Sequence, residues 1–125
     1  MDMRTSSRHV GDVTIVDISG RIVFGEESAS VHGMVSDLLS TGHRKILLNL
    51  GAVDYIDGMG LGSLLSAFVS TRKRGGELKL FNLTNRVTDV LQITKLYTVF
   101  DIMKDEAMGV ESFGPSIEAT AAATA

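Results

Sequence analysis

A strand–helix–strand series in the middle of the chain restricts its fold more than any other feature. KILLNL, from Lys45 to Leu50, is a near-continuous apolar run, the pattern of a strand covered on both faces. After it, Leu61, Leu64, Leu65, Phe68 and Val69 recur on one helical stripe. RKR followed by two glycines then places cations and a stop at the negative end of that helix. ELKLFNL reads as the next strand. A helix between two strands is the connection that parallel pairing requires, so this series predicts a βαβ unit.

The alternation extends on both sides. VTIVDIS (Val13 to Ser19) sets apolar Val13 and Ile15 against Thr14, then Val16 and Ile18 against Asp17, as in a partly buried strand. The preceding TSSRHV is a weaker strand, joined to it by a tight turn at Gly11 and Asp12. In FGEESASVHGMVSDLLSTG, Val31, Val35, Leu38 and Leu39 share a helical face, Glu26 and Glu27 fall near the positive end, and Gly42 can stop the helix. NRVTDVLQITKLY predicts a short helix with Asn85 as N-cap and Val87, Val90 and Leu91 inward. VFDIMKDEAMGVESF supplies a last short strand and helix. The order β-β-α-β-α-β-α-β-α predicts one α/β domain over residues 1–113. Its sheet is expected to be mixed and mostly parallel, with about five strands, an antiparallel N-terminal hairpin and about four helices. The tail 114–125, ending EATAAATA, has little to bury and is expected to be mobile.

Composition narrows the function classes. The chain has 125 residues, 44% hydrophobic and 22% charged, enough for a core without staples. It has no cysteine, which excludes disulfides and thiolate metal sites. No secretory h-region or membrane-length apolar run is visible, so a cytoplasmic protein without membrane insertion is expected. The net charge of −3 makes nucleic acid an unexpected main partner. Ser63 lacks a nucleophile-elbow setting, and His9, His32 and His43 are scattered with no i, i+4 pair. Neither a catalytic residue nor a metal is expected, and no cofactor.

The stretch VDYIDGMGLGSLLSAF (Val53 to Phe68) is the remaining candidate site, with glycines at 58, 60 and 62. A dinucleotide fingerprint would need glycine at 63, where Ser63 stands, and would follow its strand at once. Val53, Asp54, Tyr55, Ile56 and Asp57 stand between the KILLNL strand and Gly58. No Gly-Lys-Ser/Thr follows for a Walker-type loop. Asp54 and Asp57 could hold a cation, although solvated loop acids explain them as well. The plainest reading is a sharp entry into a helix, with Asp57 or Gly58 as N-cap. That reading does not explain an aromatic, an acid and Met59 at an exposed helix start, which suits a contact surface.

VTIVDISGRI, KILLNLGAVDYIDGMGLGSLLSAFVSTRKRGGELKLFNL and VLQITKLYTVFDI together resemble the STAS domain, the family of bacterial anti-sigma factor antagonists and of the cytosolic tails of sulfate transporters. The resemblance covers roughly residues 8 to 106 and is most specific in VDYIDGMGLGSLL. It implies a non-catalytic antagonist that docks on a serine-kinase-type anti-sigma factor and frees the sigma factor. The family motif reads Asp-Ser-Ser/Thr-Gly, its second hydroxyl phosphorylated by that partner. Asp57 then matches the acid, Gly58 the first hydroxyl residue, Met59 the phosphoacceptor, and Gly60 with Leu61 the next pair. Neither Gly58 nor Met59 can carry phosphate. The implied partner-binding residues are Asp54, Tyr55, Ile56, Asp57, Gly58, Met59, Gly60, Leu61 and Ser63, with the segment GRIVFGEES nearby. Ser63, one turn below Met59, is the best substitute acceptor. A homodimer is left open, as are a scaffold in a signalling assembly, a subunit of a lipid transport complex, and a small-molecule or nucleotide-binding domain.

Overall fold

The computed structural model describes residues 3–23 and 30–114. Five strands form one sheet in the order β1-β2-β3-β4-β5: β1 (Arg4–Val10), β2 (Val13–Ile22), β3 (Lys45–Ile56), β4 (Glu77–Phe81) and β5 (Asp101–Met103). β1 runs antiparallel to β2, with Val10 opposite Val13 across the Gly11–Asp12 turn, and Gly11 takes a positive φ of 61°. All other pairings are parallel. The helices are α1 (Val31–Ser40), α2 (Gly58–Lys73), α3 (Asn85–Ile93) and α4 (Glu106–Glu111), with a 3-10 turn at Leu96–Thr98. The mixed sheet, N-terminal hairpin and four helices of the described residues agree with the expected architecture.

Side-chain alternation divides the strands between two cores. Val16, Ile18, Ile46, Leu48, Leu50, Leu78 and Leu80 meet Val31, Val35 and Leu39 of α1, Leu61, Leu64 and Ala67 of α2, and Val87 and Leu91 of α3. Val13, Ile15, Leu47 and Phe81 point the other way and pack with Phe113, flanked by Met103 and Val110. Gly109 makes this second layer thin, because a Cβ there would come within 2.7 Å of Leu47 Cδ2. Lys79 is buried on this face, donating to the Ser112 carbonyl at 2.9 Å with its ammonium 4.7 Å from the Phe113 ring centroid.

Three local expectations change. β3 continues past Leu50 to Ile56, because its second half stays registered on β2, with Ala52 opposite Ser19 and Ile56 opposite Ile22, across shifts at Asp17/Ser19 and Gly20/Arg21. In α2 the inward stripe is Leu61, Leu64, Ala67 and Thr71, while Val69 is exposed. The N-cap of α3 is Thr84 rather than Asn85: its hydroxyl accepts from Val87 N and donates to Val53 O. Glu26 and Glu27 lie outside the described residues, as does the tail from 115 onward.

The second face carries a polar ladder beside its small core. Arg8 donates to Asp17 at 2.8 Å and to Glu106 at 2.6 Å, Asn49 donates to Asp17, and Asn82 donates to Asn49. Hydrogen bonds from Arg8 hold the carboxyls of Asp17 and Glu106 below their ordinary range, and the Glu106 and Asp17 contacts raise the guanidinium further. Depressed carboxyl values mean stability that is present above the unfolded-state range and lost as pH falls through the folded-state values. The three side chains are 33–42% exposed, so the effect is modest. Arg8→Ala is expected to cost up to about 1 kcal/mol at neutral pH. The difference from wild type should shrink below about pH 4, measured by urea melts across the acid range; a constant difference would refute it.

Candidate functional site

The entry into α2 is built around the last residues of β2 and β3. Asp57, in extended conformation, is the N-cap, and its carboxylate accepts from Gly60 N at 2.7 Å. Its own N–H donates to Ile22 O at 3.2 Å. The same carbonyl stands against Gly60, where a Cβ would overlap it and approach the Ile22 carbonyl carbon to 2.5 Å. Ile22 therefore sets the distance between the end of β2 and the first turn of α2. Gly58 and Gly62 have open space where a Cβ would lie. Of the three glycines, Gly60 alone is required by a close approach, and its neighbour is protein backbone.

The side chains implied as contact residues separate into two groups. Asp54, Gly58 and Met59 are exposed, with Met59 at 61%, while Tyr55 and Asp57 are half-buried. Ile56, Gly60 and Leu61 are buried and hold the tip in place. Ser63 is half-buried and faces α1, accepting from His32 N at 3.0 Å. It thereby satisfies an N–H in the first turn of α1, a group left without a partner inside its own helix. Asp54 and Ile56 belong to β3 rather than to a loop. The separation of strand from glycines offered against a dinucleotide site is corrected accordingly, since only Asp57 intervenes; Ser63 at the third glycine position still departs from the fingerprint.

One group of contacts has no signature in the sequence spacing. The Arg21 guanidinium lies 4.8 Å from the Tyr55 ring centroid, and that of Arg86 lies 6.0 Å from it. Arg21 is the last residue but one of β2, opposite Tyr55, and Arg86 stands in the first turn of α3. Both sit at the C-terminal end of the parallel strands, the end from which α2 departs. Arg21 falls within GRIVFGEES, but neither the stack nor Arg86 could be read from the chain. Among the described residues, no group of three or more His, Cys, Asp or Glu is placed to hold a metal ion. No described helix is long and apolar enough to cross a membrane.

Sheet order, helix placement and the α2 entry define a recognisable class. The STAS domain family model matches residues 4–108, and the chain belongs to that family. It is similar to the anti-sigma-B factor antagonist of Bacillus subtilis, 39% identical over 59 residues, which is 47% of this chain and 54% of the relative. That match spans about half the relative's length. A crystal structure of a candidate anti-sigma factor antagonist from Thermotoga maritima superposes with a TM-score of 0.74 at 25% identity, covering 86% of this chain and 92% of that one. The Bacillus cell fate determinant SpoIIAA in its phosphorylated form shares the fold, with a TM-score of 0.66 at 14% identity over 88% of this chain and 99% of that one.

Proposed function

We propose that this chain is a non-catalytic anti-sigma factor antagonist of the cytoplasm. It binds a serine-kinase-type anti-sigma factor through the α2 tip and so releases the sigma factor. The observation that carries this reading is the rigidly capped tip with Met59 displayed at 61% exposure. A large apolar side chain in that position favours contact with another polypeptide, and a thioether adapts to irregular surfaces. Release needs only that the two complexes of the anti-sigma factor be mutually exclusive.

Phosphorylation at the tip plays no part in this function, since Gly58 and Met59 have no hydroxyl. The engagement of Ser63 with α1 argues against it as a substitute acceptor. The test mixes the chain with each purified kinase-type anti-sigma factor of its source genome, ATP and the cognate sigma factor. A stable antagonist complex, displaced sigma factor and an unchanged intact mass for this chain are expected. Failure to bind any of them, with a melting temperature raised by ATP, GTP or NAD, would instead favour a nucleotide-binding domain.

A further inference from the structure

Most cations whose positions fix the sheet are satisfied within the fold. Arg8 pairs with Asp17 and Glu106, Lys45 with Asp12, and Lys79 with the Ser112 carbonyl and the Phe113 ring. Arg21 and Arg86 differ. They come from β2 and α3, 65 positions apart in the chain (86 − 21), and converge on one tyrosine ring. No ion pair joins either of them to a described carboxylate. Asp57, two residues after Tyr55, turns its carboxylate to Gly60 N, and Asp54 forms no ion pair with either arginine. The ring holds two guanidiniums in position while leaving their N–H groups available, because cation–π contact uses the face of the guanidinium rather than its edge donors.

We propose that Arg21, Tyr55 and Arg86 form a seat for carboxylates, and that the segment of the partner lying beside the α2 tip is acidic. This rests on the docking reading above and adds the chemistry of the partner surface. Four peptide links separate Tyr55 from Met59, so the seat lies within about 15 Å of the tip, inside the footprint of an ordinary interface. Guanidinium donors fit carboxylate oxygens in bidentate geometry. Pre-ordering by Tyr55 lowers the side-chain entropy lost on binding. Met59 supplies the apolar contact and the arginines supply orientation and rate of encounter, which is the usual division between buried anchors and charged surroundings.

The test uses the anti-sigma factor that binds the wild-type chain and measures affinity and association rate for each variant. Arg21→Ala and Arg86→Ala are each expected to weaken binding about tenfold, and the double reversal Arg21→Glu/Arg86→Glu by about 100-fold or more. Raising salt from about 50 to 500 mM should slow association of the wild type but hardly affect the double variant. Tyr55→Phe keeps the ring and should bind like wild type, whereas Tyr55→Leu should lose several-fold. Unchanged melting temperatures guard against misfolding.

Loss of binding in Met59→Asp with no effect of the arginine reversals overturns the seat and leaves the docking reading standing. Loss in the arginine reversals with Met59→Asp unaffected supports the seat but moves the docking surface away from the tip. If neither set weakens the complex, both inferences fall.

Discussion

Gly60→Val is expected to destabilise the fold by about 3 kcal/mol, with a melting temperature lower by roughly 10 °C. The branched side chain would enter the space of the Ile22 carbonyl. That carbonyl cannot swing aside cheaply, because it also accepts from Asp57 N. Relief requires α2 to back away from β2, opening the contact among Ile22, Leu61 and Leu64 in the larger core. Gly58→Ala and Gly62→Ala provide the contrast. Both sites are open, neither shows a positive φ, and alanine is the better helix former by about 0.8–1 kcal/mol in a helix interior. A shared sequence pattern therefore conceals opposite outcomes, with Gly60 variants melting earlier and the others at or above wild type. Equal melting of all three would refute the assignment of Gly60 as the packing glycine.

Met59→Asp should separate stability from binding. Its side chain takes no part in the cap or the core and is 61% exposed. A carboxylate in the first turn of a helix is favoured by the exposed N–H groups by about 0.3–1 kcal/mol. Thermal stability is thus expected to hold or rise slightly, less whatever repulsion from Asp57 removes. In a complex the same charge would be desolvated beside Asp57, and the apolar contact would be lost. Affinity for the anti-sigma factor should fall about 100-fold, close to 2.7 kcal/mol. Met59→Leu should retain most of the affinity. Wild-type binding by the aspartate variant, measured calorimetrically, would remove Met59 from the interface.

The parts legible in the sequence were those written in local chemistry. The double coverage of Lys45–Leu50, the cap at Asp57 and the two-residue turn at Gly11–Asp12 follow from periodicity and turn propensity. The extension of β3 to Ile56 does not, because Gly51 and Asp54 are poor strand residues that fall at the two register shifts, and only the pairing of Ala52, Val53, Tyr55 and Ile56 with β2 carries the strand through. Val69 shares the helical stripe with Leu65 yet is exposed, and Ala67, the smaller residue, is the one pressed against the sheet. Thr84 took the cap from Asn85 because its hydroxyl could also reach Val53 O, a contact 31 residues away. Arg21, Tyr55 and Arg86 were illegible for the same reason, since long-range convergence leaves no spacing to read. Their meeting depends on where β2, β3 and α3 end.

Sheet order equal to chain order has a kinetic consequence. Each new strand is laid against the one made just before it, so no strand has to slip between two already in place. The parallel closures run only between strands that are neighbours in the chain, which keeps the loops to be closed short and their entropy cost low. Structure can accumulate outward from the β2–β3 pair to the border strands β1 and β5, after which α4 folds back over the second face to reach Arg8 and Leu47. A chain emerging from synthesis could assemble in the order in which it appears.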